Sequence, residues 1–110
     1  MPKLYEITEV LGARVYNANA RDEEIIGGYA GDLLSEVMAK AERSCAWFTV
    51  MTNVNVSAVA VAAEIGAIVL CGGNEPTDVL LSKAKEHGIN LIGTDKSVYD
   101  AVKTYSATFG

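Results

Sequence analysis

The side chains of this 110-residue chain that could carry chemistry gather in four short polar stretches, each lying between an apolar run and an amphipathic one. They are Gly28-Tyr29-Ala30-Gly31-Asp32, Thr52-Asn53-Val54-Asn55, Gly72-Gly73-Asn74-Glu75-Pro76-Thr77 and Gly93-Thr94-Asp95-Lys96. Where such a stretch joins a strand to a helix, Asn and Thr supply neutral hydrogen-bonding groups. The helix start presents unpaired N–H groups to an anion. The chemistry expected is recognition of a small anionic ligand, with Thr52, Asn53, Asn55, Gly72, Gly73, Asn74, Thr94 and Asp95 as candidate binding residues. Asp95 opposes the others, because a carboxylate repels an anion. The same residue types are ordinary helix caps and turn formers, so ligand contact and simple capping compete as readings at each position.

Covalent chemistry finds less support. A P-loop needs GxxxxGK[ST], in which freed amides and a lysine meet the phosphates. Gly72-Gly73 is not followed by that Lys-Ser/Thr pair, and GxGxxG and GxSxG are missing as well. No catalytic residue is assigned. His87, the sole histidine, falls beside Gly88 near the end of an amphipathic segment, where a cation complements the helix dipole. Cys45 and Cys71 are the only cysteines and stand 26 positions apart, without a CxxC spacing. They read as reduced thiols of a cytoplasmic protein, and a His/Cys metal site is not expected. The run Asp22-Glu23-Glu24 reads as a solvated turn. The residues do not identify a cofactor.

Fourteen acidic residues against nine basic ones give a net charge of -5, and the basic residues are scattered along the chain. That pattern disfavours a nucleic-acid backbone as partner. With 50% hydrophobic and 21% charged residues the chain has a globular composition, and its length suits one domain spanning residues 1–110. The opening Met-Pro-Lys-Leu-Tyr-Glu lacks the apolar run of a secretory signal, and no stretch has the roughly 18 uninterrupted apolar residues of a membrane span. A soluble, cytoplasmic protein is expected.

The elements that must position these stretches follow from periodicity. Leu4, Ile7, Val10 and Leu11 predict a helix over 3–11 ended by Gly12. Short strands are expected at 13–16 and 25–29, joined by a polar turn too short for a helical crossover. Asp32 is expected to cap a helix with Leu33, Leu34, Val37, Met38 and Ala41 on one stripe. Then come a strand at 46–51, a helix at 54–65, an apolar strand at 67–71 and a helix opened by Pro76 and closed by Gly88. A strand at 89–92 precedes a last helix capped by Thr94 or Asp95, with Ser106 to Gly110 as a fraying tail. This order predicts an α/β three-layer sandwich, with a largely parallel or mixed sheet of about five strands and helices on both faces. Ligands of such sheets bind at the carboxyl ends of the strands.

The segment Val54–Ile65 stands apart, since nine of its twelve residues are apolar and no full polar face remains. A small domain has difficulty covering such a helix by itself. A homodimer using Val54, Val56, Val59, Val61 and Ile65 is expected, the alternative being a central helix shielded by the N-terminal helix and the tail.

Three segments together resemble a known family. They are Ile25-Ile26-Gly27-Gly28-Tyr29-Ala30, the strand leading through Thr52-Asn53 into an Ala-rich helix, and Ile68 to Pro76 followed by Ala84-Lys85-Glu86-His87-Gly88-Ile89. In this pattern, over roughly residues 4–105, the chain resembles the DRTGG domain. That domain is similar to the N-terminal domain of HPr kinase/phosphorylase and also accompanies phosphotransacetylases and CBS-containing pyrophosphatases. Where many relatives carry Gly-Asp-Arg, this chain has Thr52-Asn53-Val54. The resemblance implies an accessory, non-catalytic regulatory or assembly module that senses a small anionic metabolite or nucleotide. The competing class is a small enzyme acting on a phosphorylated substrate at the strand ends.

Overall fold

Five helices and five strands alternate in the computed structural model, which describes residues 1–110. In chain order they are α1 (Leu4–Leu11), β1 (Arg14–Asn17), β2 (Gly28–Ala30), α2 (Leu34–Lys40), β3 (Ala46–Thr49), α3 (Asn55–Ala62), β4 (Ala67–Leu70), α4 (Asp78–His87), β5 (Leu91–Gly93) and α5 (Val98–Phe109). The sheet order is β1-β5-β4-β3-β2. Strands β2 to β5 run parallel and β1 pairs antiparallel with β5. The result is an α/β three-layer sandwich around a mixed five-stranded sheet.

Alternation along the central strands builds two cores. Ala46, Phe48, Val69, Cys71 and Ile92 point to one side, where Leu4, Ile7 and Leu11 of α1 and Ala101 and Tyr105 of α5 cover them. Trp47, Ile68, Leu70 and Leu91 point to the other, against Val37 of α2, Val56 and Val59 of α3 and Leu80 and Ala84 of α4. Because β3 and β4 are buried on both faces, their sequences do not alternate and are apolar apart from the buried Thr49 at the end of β3. Each large side chain enclosed this way contributes on the order of 2 kcal/mol.

Helix ends are set by local chemistry. The Glu6 carboxylate reaches back to the Lys3 N–H at 2.9 Å, and Gly12 closes α1 in the left-handed conformation with φ 59°. Thr77 Oγ1 accepts from the Leu80 N–H at the start of α4, and Ser97 Oγ from that of Asp100 at the start of α5.

Several expectations change. Asp32 does not cap α2; its carboxylate instead accepts from Thr49 Oγ1 at 2.6 Å and the Val50 N–H at 3.0 Å. Ser97, not Thr94 or Asp95, caps α5, because the chain needs three further residues to leave β5 before turning helical. The tail is helical to Phe109, whose ring lies 5.6 Å from that of Tyr105. The acidic turn is not merely solvated. Glu23 Oε1 accepts from the buried Asn90 amide, and the carbonyls of Glu23 and Arg21 take the first N–H groups of α1. Finally α3 lies between α2 and α4, on the face opposite α1 and α5, so neither the N-terminal helix nor the tail shields it.

One close approach locks the amino ends of the strands together. A Cβ on Gly66 would sit 2.5 Å from the Ser44 carbonyl oxygen and 3.0 Å from Ile25. Ser44 is itself held at φ 67°, and its N–H donates to the Glu64 carbonyl, so it has little room to retreat. Gly66→Ala is expected to cost roughly 2 kcal/mol through forced backbone displacement. Urea unfolding would show this as a lowered midpoint with unchanged slope; an unaltered midpoint would mean that the 42–45 turn yields freely.

Candidate functional site

The carboxyl ends of the four parallel strands form one rim, and the antiparallel β1 begins there. Around the rim the loops are tied to one another by hydrogen bonds. Asp32 after β2 holds Thr49 and Val50 at the end of β3, and the Trp47 indole N–H donates to the Gly31 carbonyl at 2.9 Å. The Thr52 carbonyl accepts from both the N–H and Oγ1 of Thr77, joining the β3 and β4 loops. Gly72 N–H donates to the Lys96 carbonyl at 2.7 Å and Gly73 N–H to the Thr94 carbonyl at 3.0 Å, joining the β4 and β5 loops.

The structure thus brings the candidate residues to one end of the sheet, in three neighbouring loops, but uses many of their polar groups internally. Thr94 is buried, with Oγ1 donating to the Leu11 carbonyl and accepting from the Lys96 N–H. Asn74 Nδ2 donates to the Cys71 carbonyl at 2.8 Å, and Asn53 Oδ1 accepts from the Asn55 N–H at 2.9 Å. The amides of Gly72 and Gly73 are spent on carbonyls, as above. Both glycines have φ above 70°, which lets the β4 loop double back onto the β5 loop. Exposed on the rim are the Asn53, Asn55 and Asn74 side chains, the Gly72-Gly73 surface and Asp95. None of the eight candidate residues lines a cavity; the rim is an open surface.

Sequence reasoning missed Arg14. Because β1 is antiparallel, Arg14 pairs with Gly93 and its side chain arrives at the rim. There its Nη1 meets Asp95 Oδ1 at 3.1 Å, while Nε donates to the Tyr16 hydroxyl at 3.2 Å. Tyr16 and Asp95, in that order, favour its charged form. Asp95 is accordingly an ion-pair partner rather than a bare negative charge. The signal was present as Arg14 at the head of a strand, but its place depended on the direction of β1.

Cys71 closes β4 beneath the rim and is fully buried. Burial pushes its thiol up to about 11, and the charge of Asp32 adds to the rise; burial raises Cys45 as well. At pH 8 Cys71 carries roughly a hundredth of the thiolate of an unshifted cysteine. Folded protein should react with a thiol disulfide reagent only slowly at pH 8, and both thiols should label at once in denaturant. Rapid labelling of one thiol per folded chain would contradict the burial of these side chains.

No family model matches the chain, and no curated protein matches it. Among solved structures it is similar to the crystal structure of the CBS and DRTGG domains of the regulatory region of Clostridium perfringens pyrophosphatase, complexed with the activator diadenosine tetraphosphate. The TM-score is 0.80 at 16% identity, over 93% of this chain. The chain spans 45% of the length of that protein chain, less than half. The likeness shows that this chain shares a fold with that region.

Proposed function

We propose that the chain is a DRTGG-like, non-catalytic regulatory or assembly module that senses a small anionic metabolite or nucleotide at the carboxyl rim and acts as a homodimer. The observation that carries this reading is the fold, shared over 93% of the chain with a regulatory region whose structure holds a nucleotide activator. The rim is consistent with recognition rather than turnover. Thr94 is buried and fastened to a backbone carbonyl, whereas Asn53, Asn55, Asn74 and the Arg14 guanidinium are exposed and suit a phosphate edge.

Self-association belongs to the same reading. Val56 and Val59 pack into the protein's own core, so the part of α3 open to a partner is the narrower stripe of Ala58, Val61 and Ala62, edged by half-buried Val54 and Ile65. Val61 remains 49% exposed.

A thermal-shift panel of mononucleotides, diadenosine tetraphosphate and phosphorylated metabolites tests the sensing role. A ligand at a hundred times its Kd adds about 2.7 kcal/mol to stability, which is several degrees in Tm for a chain of this size. Asn55→Asp places a negative charge on the rim at the first turn of α3, where the helix dipole tolerates it. This variant is expected to keep the unliganded Tm and reduce the shift. If no compound moves Tm, the sensing reading fails. Phosphate transfer from ATP to a partner by highly purified protein would instead overturn the non-catalytic one.

A further inference from the structure

The two edges of the sheet are built differently. At one, β1 carries Arg14 and a register shift between Val15 and Asn17 against β5. Charge and irregularity are the usual devices that keep an edge strand from pairing with another chain. At the other edge β2 has neither, and Ile25 to Gly31 contains no charged residue and no proline.

The polar groups of that edge are placed to accept a strand. β2 runs parallel to β3 with Tyr29 opposite Trp47, and the Gly31 N–H donates to the Phe48 carbonyl at 3.1 Å. In a parallel ladder alternate residues face the neighbour, so Tyr29 and Gly31 turn toward β3 while Gly28 and Ala30 turn their N–H and C=O groups outward. Beside them runs a hollow of about 210 Å³, open because Gly28 and Ala30 have almost no side chain and walled by Phe48, Val102 and Tyr105. It continues as a shallow apolar groove to Tyr99, which is 72% exposed. Ile26 and Leu33, both exposed, carry apolar surface on at either end of the strand.

We propose that a second copy of this chain occupies this edge, β2 pairing antiparallel with β2 of its partner about a two-fold axis through Tyr29. The proposal rests on the reading that the protein self-associates and locates the contact at β2 rather than α3. With the axis on the middle residue of a three-residue strand, Gly28 of one protomer faces Ala30 of the partner subunit, and each such pair exchanges two N–H···O bonds. Every outward donor and acceptor of both strands is then satisfied, and the patch meets itself as a closed two-fold interface requires. On the α5 side of the sheet the seam carries only Gly28 and Ala30, while on the other side Tyr29 of each protomer stands opposite its copy. Charge points the same way, since a chain of net charge -5 repels its own copy least where Ile25 to Gly31 are neutral. The two sheets become one of ten strands, with both α5 helices on the same face and the two hollows side by side between them. The α3 stripe offers no unpaired backbone, and the Arg43–Glu64 ion pair stands beside its end.

Light scattering and sedimentation of the full chain, with Ala30→Pro, Ala30→Lys and Val61→Glu, test the assignment. Ala30→Pro removes one outward donor per protomer without touching the β3 ladder, and Ala30→Lys puts like charges on the seam. The unmodified protein is expected to be a dimer at tens of micromolar. Both Ala30 variants should raise the dimer dissociation constant tenfold or more, and Val61→Glu should leave it unchanged. Hydrogen exchange gives a readout that needs no variant: the Gly28 and Ala30 amides should become protected as concentration rises, while those of Ala58 and Val61 should not respond. Dissociation by Val61→Glu with Ala30→Lys still dimeric, or Gly28 and Ala30 amides indifferent to concentration, would overturn the β2 interface but leave self-association standing. A monomeric unmodified protein at high micromolar concentration would overturn both.

Discussion

The handedness of the β-α-β crossover governs the rest of this structure. Strands β2, β3, β4 and β5 follow one another across the sheet in sequence and in parallel. A right-handed crossover between parallel neighbours puts its helix on a fixed side, so three steps in the same direction stack α2, α3 and α4 on one face. The opposite face can then be covered only by helices that are not crossovers, which here come from the two ends of the chain. Termini that would otherwise fray become core elements. Leu4, Ile7 and Leu11 from one end pack with Ala101 and Tyr105 from the other, and the Tyr105 hydroxyl reaches back to the Gly27 carbonyl at 2.7 Å.

That division leaves an unequal covering. Five strands at about 4.8 Å spacing span four gaps, which three helices about 10 Å apart match closely. Two helices fall short by about one helix width. The shortfall shows at both margins of the α1/α5 face, as the hollow beside β2 and as a smaller one where Val15 stands 52% exposed near Tyr5 and Thr8. At the β1 margin an arginine and a register shift guard the strand. At the β2 margin the strand is neutral, glycine-rich and only three residues long.

Much of this was legible in the amino-acid sequence. Continuous apolar runs marked β3 and β4, since strands buried on both faces have no polar alternation to show, and Gly12 and Gly88 marked two helix ends because only a left-handed residue closes them cheaply. What was not legible depended on long-range pairing. Asp32 followed by apolar periodicity is the pattern of a cap, yet Thr49 and Val50 claim its carboxylate from the next strand. In the helix of nine apolar residues in twelve, which of them face the core depended on the sheet: Val56 and Val59 pack on its central strands between α2 and α4, while Val61 stays exposed. Arg14 gave no local hint of reaching the rim because strand direction is a property of the sheet, not of the residue. That the candidate residues share one end of the sheet could be read from class alone, since it is where every parallel strand hands over to its helix.

The rim also shows how the switch in helix direction is handled. Helix α4 leaves β4 toward one face and α5 leaves β5 toward the other, and in open α/β sheets such a divergence opens the crevice that takes a ligand. Here the crevice is stitched across by the Gly72 and Gly73 amides on the carbonyls of Lys96 and Thr94. Those two donors are already satisfied, and a ligand that took them would leave the Lys96 and Thr94 carbonyls without these partners. The stitched loops therefore close the space between β4 and β5 at this end. Above them lie the exposed Asn53, Asn55 and Asn74 side chains and an arginine that Asp95 keeps in place, on loops that lead to helices of both core layers.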